Sequence, residues 1–148
     1  KRSLFEGGVR SPTMVRWPGT ITPTVSDFSW AFWDFMPTIA DLVGVTPPTG
    51  IDGISILPTL MGKSQEPKNY LFWTWSGTGV PPLEGSGKGI SGYGVRVDDS
   101  TTGRRWKGVL PHCGTTGKPT TSDLLQLYDL VADPFETTDV SARNKDQV

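Results

Sequence analysis

Glycine and proline interrupt this chain so often that only short helices and strands can form between them. The 148 residues contain 18 glycines and 13 prolines, about a fifth of the chain. That fraction is below the roughly 25–30% of disordered low-complexity chains. Hydrophobic residues make up 35%, which is enough for an ordinary globular core. We therefore expect a folded chain of one domain's size, built from short elements and many turns.

The charge balance and the rare side chains exclude several classes of function. The chain has 14 basic and 15 acidic residues and a net charge of −1, so no basic excess favours nucleic acid or an anionic membrane. No apolar run approaches the roughly 18 residues of a transmembrane helix. The single cysteine, Cys113, excludes an internal disulfide and a multi-cysteine zinc site. The single histidine, His112, makes a Ser-His-Asp triad or a histidine metal site hard to build from this chain alone.

The first part of the chain predicts one strand and two short helices. Thr13–Trp17 alternates and contains β-formers, which indicates a strand. Apolar residues at helical spacing follow Asp34, a plausible N-cap, and end before Gly44, so we expect a short and mostly buried helix. Ser55 is placed to cap a second helix over residues 56–61.

The second part of the chain predicts four strands and a final helix. The strands are expected at residues 70–75, 93–97, 105–110 and 125–130, and an amphipathic helix is expected after Asp139. Successive antiparallel strands with a helix on one face form a small α+β unit. The Gly-rich stretch 76–92 and residues 111–123 are expected to be long loops, which are often binding elements.

Few local motifs suggest chemistry. The run Gly85–Gly89 resembles a phosphate loop superficially, but its spacing is wrong and no apolar strand precedes it. Its composition favours a flexible loop. Asp52, Asp98 and Asp99 can bind a cation or act as acid and base, although carboxylates that accept hydrogen bonds from a local turn are the better-supported interpretation.

His112 and the tryptophans each leave two interpretations open. His112 is adjacent to Cys113, and neighbouring side chains of an extended chain point apart, which disfavours a catalytic dyad. A loop histidine without a role and a substrate-contacting histidine both stay open. The six tryptophans can stack on sugar rings or fill a core. Core packing is favoured for the pairs Trp30/Trp33 and Trp73/Trp75, which lie in the most apolar segments, and is open for Trp17 and Trp106.

Five blocks in a fixed order carry a resemblance to one enzyme family. They are Lys1–Pro12 with Val15–Gly19, Phe32–Gly44, Asp52–Gly62, the pairs Val95-Arg96 and Trp106-Lys107, and Leu127–Thr138. Their patterns include K-x-S/T-x-Y/F-E-G-G-V/I-R-x-P, D-G-x-S-L/F-L-P-x-L-x-G and L-Y-D/N-L-x-x-D-P-x-E. Together they resemble the formylglycine-dependent sulfatases of the arylsulfatase type.

The resemblance implies an alkaline-phosphatase-like α+β architecture. Residues 1–66 would be the C-terminal end of a large α/β domain. Residues 67–148 would be a small C-terminal subdomain with a four-stranded antiparallel sheet and a C-terminal helix. The chain would then be the C-terminal part of a longer enzyme, inactive alone. In isolation we expect it to expose apolar surface from residues 28–62 and to aggregate.

The resemblance also implies sulfate ester hydrolysis. The family's nucleophile is a formylglycine made from the Cys or Ser of a C/S-x-P-x-R motif, and Ca²⁺ is its metal. Both would lie upstream, since Cys113 precedes Gly-Thr-Thr-Gly instead. Lys1 matches the family lysine that binds the sulfate group, which makes it the expected catalytic and substrate-binding residue. The turn Glu6–Gly8 would aim Lys1, with Arg10 supporting the turn, and His112 is the candidate for a leaving-group contact.

The expected partners are a sulfate ester, either a small molecule or a glycan, and the upstream sulfatase domain. The family resemblance indicates a periplasmic or extracellular location. Two alternatives stay open. One is a phosphoesterase or phosphonate hydrolase of the same superfamily. The other is a Trp-rich carbohydrate-binding module without catalysis.

Overall fold

A computed structural model of the chain describes residues 3–75, 92–111 and 124–147. These residues form two compact units, one from the described parts of Lys1–Ser11 and Asn69–Val148, the other from Pro12–Lys68. The helices are α1 (Glu6–Val9), α2 (Phe35–Leu42) and α3 (Leu57–Leu60), with 3₁₀ turns at Phe32–Asp34, Ser141–Arg143 and Lys145–Gln147. The strands are β1 (Leu71–Trp75), β2 (Gly92–Asp99), β3 (Arg104–Leu110) and β4 (Gln126–Asp129). Within these ranges, no helix has the length and apolar character needed to cross a bilayer.

The four strands form one antiparallel sheet in the order β1-β2-β3-β4, which confirms the sheet predicted from the sequence. The β2–β3 hairpin closes after the pair Asp99 and Arg104. Asp99 accepts hydrogen bonds from the backbone and hydroxyl groups of Thr101 and Thr102. These bonds, the Thr101 hydroxyl first, lower the pKa of Asp99 to about 2. The turn-forming interpretation of Asp99 is therefore confirmed.

The N-terminal segment covers one face of the sheet. Leu4 is buried in a cluster completed by residues of the sheet and its flanks: Val109, Tyr128 and Leu130, with Phe5, Trp73 and Trp75 packed against them. Gly92 and Gly94 lie under Leu4, and a Cβ on Gly92 would be 3.0 Å from Leu4 Cδ1. Glycines in β2 thus allow the segment to approach the strand backbone closely.

The tryptophans divide between core and surface. Trp73 and Trp75 pack against the sheet core, as predicted, and Trp106 is also buried. Trp30 and Trp33 are half-buried, whereas Trp17 is exposed. Most of the two predicted loops, residues 76–91 and 112–123, lies outside the described residues.

The strand predicted at Thr13–Trp17 is wrong. These residues have no regular structure, and their side chains are exposed. A strand requires a hydrogen-bonded neighbour, and the described sheet ends at β1 and β4. Alternation of residue types alone therefore did not determine the structure here.

The amphipathic helix predicted after Asp139 is also wrong, because two 3₁₀ turns replace it. Asp139 does accept from the backbone N–H of Ser141 at 2.9 Å, but the same oxygen accepts from the N–H of Leu127 at 3.0 Å. Residues 141–147 contain one apolar residue, Ala142. Without an apolar stripe to bury, a short helix has little to stabilise it.

In the second unit, α2 begins and ends close to the predicted residues. It ends in a Schellman motif, with Gly44 at a φ of 71° and the N–H of Val45 donating to Ala40 O at 2.8 Å. The prediction that α2 is mostly buried is wrong, since Phe35 is 53% and Ile39 is 41% exposed. Apolar surface is thus exposed within residues 28–62, as expected for the isolated chain.

Asp34 plays a different role from the predicted one. It is the residue before α2, but its carboxylate does not cap that helix. Instead it accepts from the backbone N–H groups of Ala31 at 2.8 Å and Ile54 at 2.9 Å, and it forms a 2.6 Å ion pair with Lys68. This buried carboxylate therefore links the two helical segments of the unit.

The second predicted helix is confirmed in shortened form. The described helix is α3, Leu57–Leu60, one residue shorter at each end than predicted. The predicted cap by Ser55 is wrong, because the N-cap of α3 is Ile56 and no side chain caps the helix. The Ser55 hydroxyl does accept from the N–H of Leu57 at 3.2 Å. Gly62 follows the helix with a φ of 68°.

Candidate functional site

The two residues predicted to contact substrate, Lys1 and His112, lie outside the described residues, and so do Cys113 and the run Gly85–Gly89. The segment that directly follows Lys1 is described from Ser3 onward. The contacts of this segment are therefore the part of the candidate site that the structure describes.

The turn after Lys1 is the short helix α1. The N–H of Gly8 donates to Phe5 O at 2.8 Å, and the N–H of Arg10 donates to Glu6 O at 2.9 Å. Gly8 lies against Ser3, so that a Cβ on it would be 2.2 Å from the Ser3 carbonyl oxygen. A Cβ on Gly7 would meet nothing within 4 Å. Close approach of the backbone therefore requires glycine at position 8 but not at position 7.

A buried ion pair fixes the turn on the sheet. Lys107 Nζ donates to Glu6 Oε1 at 2.9 Å, with Lys107 fully buried and Glu6 6% exposed. The ammonium also lies 4.8 Å from the ring centroid of Trp73, at cation–π distance. A buried lysine is costly unless it is paired. Each charge of this pair therefore requires the other to stay in place.

Arg96 extends the pair into a small network. Its Nη1 lies 3.9 Å from Glu6 Oε2, and its Nε donates to Asp98 Oδ1 at 2.9 Å. Arg96 and Lys107 are paired in register on adjacent strands, so their side chains share one face of the sheet. Arg10, which was expected to support the turn, is exposed. The described ion pairs of the turn come from β2 and β3 instead.

Glu136 joins the network from the chain's other end. The backbone N–H of Glu6 donates to Glu136 Oε2 at 2.5 Å. Burial raises the pKa of Glu136, against the opposing effects of that hydrogen bond and of the Lys107 charge. The backbone of Glu136 has a φ of 56°, uncommon for a residue with a side chain. The preceding loop is fixed by Asp133, which accepts from the N–H groups of Thr137 and Thr138.

Three of the sequence blocks thus meet at one place. Glu6 belongs to the first block, Arg96 and Lys107 to the V-R and W-K pairs, and Glu136 to the last block. Each of these residues lies in a motif that the sequence analysis identified. The motifs did not predict that the four residues contact one another. Glu6 and Lys107 form a buried ion pair, and Glu136 accepts from the backbone of Glu6. These contacts suit the group to fix a backbone segment rather than to attack a substrate.

The described residues offer no metal site. No group of three or more His, Cys, Asp or Glu side chains in the described ranges could bind an ion. Asp98 pairs with Arg96 and Asp99 with the hairpin threonines.

The comparisons with known proteins agree with the blocks. The family described as N-sulphoglucosamine sulphohydrolase, C-terminal, matches residues 1–81, more than half of the chain. This chain belongs to that sulfatase family. The sulfatase resemblance is therefore confirmed, and the chain corresponds to a C-terminal part of such proteins.

Curated relatives of this sulfatase chain carry several names. Human arylsulfatase A is 31% identical over 92% of the chain, and bovine arylsulfatase A is 39% identical over 49%. Human N-acetylgalactosamine-6-sulfatase is 42% identical over 41%. The chain spans 27%, 15% and 12% of the lengths of these three relatives, respectively.

Solved structures share the fold. A protein of Bacteroides thetaiotaomicron described under the metabolism of multiple glycosaminoglycans matches with a TM-score of 0.66 and 22% identity. The match covers 89% of this chain and 27% of that one. A structure solved with its substrate D-glucosamine-2-N,6-O-disulfate matches with a TM-score of 0.51 and 21% identity, over 77% and 21% of the two chains. This sulfatase chain therefore shares the fold of the parts of those structures that it matches, and its described residues form a four-stranded antiparallel sheet.

Proposed function

We propose that this chain is part of an enzyme that hydrolyses sulfate esters, in which Lys1 binds the sulfate group and His112 contacts the leaving group. Membership in the sulfatase family supports the reaction class. The observation that carries the role of Lys1 is the anchoring of the segment behind it. Glu6, five residues after Lys1, is buried and paired with Lys107.

The chemistry explains why a lysine is needed. Cleavage of a sulfate ester increases negative charge on the sulfuryl oxygens and on the leaving oxygen. An ammonium group in a water-poor pocket stabilises that charge, and more so when its position is fixed before the reaction. Lys1 would supply this charge, and His112 would donate a hydrogen bond or a proton to the leaving oxygen.

The nucleophile and the metal belong to the proposal but not to the described residues. A formylglycine and Ca²⁺ would be supplied by the upstream sulfatase domain, and a divalent cation stabilises developing negative charge. Residues 1–66 would be the C-terminal end of that large domain, and residues 67–148 the small subdomain. A periplasmic or extracellular location is proposed from the family resemblance alone.

We propose a sulfate ester as the substrate class, without restriction to one alcohol. Relatives named arylsulfatase A, N-acetylgalactosamine-6-sulfatase and steryl-sulfatase match parts of this chain with similar identities of 39%, 42% and 40%. This segment therefore does not distinguish aryl, sugar and steryl sulfates. Membership in the sulfatase family disfavours the two alternatives, a phosphoesterase and a carbohydrate-binding module.

The proposal is tested in the full-length protein with a chromogenic aryl sulfate. We expect Lys1→Ala to lower kcat/KM on the order of 10²-fold or more, the scale for loss of one charge-stabilising group. The control is Lys63→Ala, since Lys63 is an exposed lysine after α3, and it should keep the parent rate. A near-normal rate for Lys1→Ala would remove Lys1 from the site. Faster turnover of the matching aryl phosphate would instead favour the phosphoesterase.

A further inference from the structure

We propose that Lys107 and Glu6 are positioning residues of this enzyme, which act on the reaction through Lys1 without touching the substrate. The proposal rests on the function proposed for Lys1. It adds that the buried ion pair between Lys107 and Glu6 on the small sheet holds the segment that follows Lys1. Lys107 belongs to β3 and is 101 positions away from Glu6 in the chain.

The first step of the argument is the enclosure of the pair. Lys107 is fully buried, and its ammonium contacts both Glu6 Oε1 and the face of Trp73. If Glu6 moved away, this buried ammonium would lose the carboxylate that it contacts directly, which is strongly unfavourable. The pair therefore resists displacement of Glu6 from the sheet.

The second step is that the segment between Lys1 and Glu6 is itself held on the sheet. Leu4 is packed in the sheet core, and the N–H of Phe5 donates to the Ser3 hydroxyl at 3.2 Å. Only two residues separate Lys1 from Leu4 in the sequence. A shift of Glu6 would thus be passed to the start of the chain.

The third step is that the turn has little freedom of its own. Gly8 approaches the Ser3 carbonyl too closely to accept a side chain, and Glu136 accepts from the N–H of Glu6. Contacts on both sides therefore fix the turn. Misplacement of a catalytic group by about 1 Å can cost on the order of 10²-fold in rate, so this rigidity bears directly on catalysis.

The second unit contains a matched control lysine. Lys68 forms a 2.6 Å ion pair with the buried Asp34 and lies 5.5 Å from the ring centroid of Trp33. It therefore has the same kinds of partner as Lys107, a buried carboxylate and a tryptophan ring. Loss of either lysine removes a comparable stabilising contact, but only Lys107 pairs with Glu6.

The experiment is a double-mutant cycle in the full-length protein. We measure kcat and KM for an aryl sulfate with Lys107→Met and with Lys68→Met, each in the parent and in the Lys1→Ala background, well below the melting temperature of every variant. We expect Lys107→Met to lower kcat/KM roughly 10-fold to 10²-fold in the parent. In the Lys1→Ala background its effect should shrink to about twofold or less, because both changes act on the same group. Lys68→Met should stay within about twofold in both backgrounds.

The outcomes separate this inference from the proposed function. If Lys107→Met lowers kcat/KM equally in both backgrounds, or in neither, the positioning role is overturned. The function proposed for Lys1 still holds in that case if Lys1→Ala itself causes a large loss. A normal rate for Lys1→Ala overturns both. If Lys107→Met does not fold, Gly8→Ala and Gly7→Ala take its place in the cycle. Gly8→Ala should then show the same dependence on Lys1, and Gly7→Ala, which meets open space, should be inert; any other pattern overturns the proposal.

Discussion

The carboxylate of Glu136 accepts a 2.5 Å hydrogen bond from the backbone N–H of Glu6, joining residues 130 positions apart. Burial raises the pKa of Glu136 above its ordinary value of 4.5. A raised pKa means that the folded chain binds this proton more tightly than the unfolded chain does. The contribution of Glu136 to stability is therefore complete below about pH 4.5 and is lost as the pH rises through the folded pKa.

Replacement of Glu136 by glutamine tests this relationship. Glutamine keeps an oxygen acceptor for the Glu6 N–H but cannot ionise. We expect Glu136→Gln to match the parent near pH 4 and to become more stable than the parent as the pH rises above the folded pKa of Glu136. Urea unfolding of the full-length protein at a series of pH values measures the difference. A difference that is constant across this range would contradict the pKa shift.

The sheet could be predicted from the sequence because its strands are locally distinctive. Aromatic and β-branched residues at 71–75 and the turn residues around Asp99 each indicate their structure without distant partners. The ends of α2 and α3 were predictable for the same reason, since Gly44 and Gly62 supply the left-handed conformation after a helix.

The candidate site could not be predicted in the same way. A lysine in a strand is expected at the surface, whereas Lys107 is buried with Glu6 and the Trp73 ring as its partners. Because Lys107 and Glu6 are 101 positions apart in the chain, no local sequence pattern reveals that they pair. The strand expected at Thr13–Trp17 illustrates the opposite case, in which a suitable local pattern has no partner in the described sheet.

The hairpin turn at Asp99 provides an acid-sensitivity prediction. Hydrogen bonds from Thr101 and Thr102 depress the pKa of Asp99 to about 2. The turn should therefore be stabilised above about pH 3.8 and should lose that stabilisation as the pH falls towards 2. We expect Asp99→Asn to raise amide hydrogen exchange in residues 99–103 at pH 5, with the difference from the parent shrinking in acid. An equal difference at both ends of this range would contradict the assignment.

Gly53 offers a packing prediction in the second unit. A Cβ at this position would be 2.1 Å from the Trp33 carbonyl oxygen and 3.0 Å from Pro37 Cγ. Because the closest atom belongs to the backbone, it cannot rotate away. We expect Gly53→Ala to destabilise the protein by about 1–3 kcal/mol, the range for overpacking, as measured by urea unfolding. Gly7→Ala serves as the control, and an equally small effect of both substitutions would show that the Trp33 backbone moves freely.

The exposed apolar side of α2 provides the last prediction. Phe35, Met36, Ile39 and Leu42 are each at least 40% exposed in the described unit. We propose that the upstream sulfatase domain covers these side chains in the full-length protein, because apolar patches of this kind mark interaction surfaces. Ile39→Glu should then reduce self-association of the isolated 148-residue chain, measured by light scattering. The same substitution should destabilise the full-length protein, because it would bury a carboxylate without a partner.

The control is Val25→Glu, at a residue that is 94% exposed and lies outside α2, and it should leave the full-length protein unchanged. If Ile39→Glu is equally harmless there, this side of α2 faces solvent in the full-length protein, and the upstream domain does not cover it.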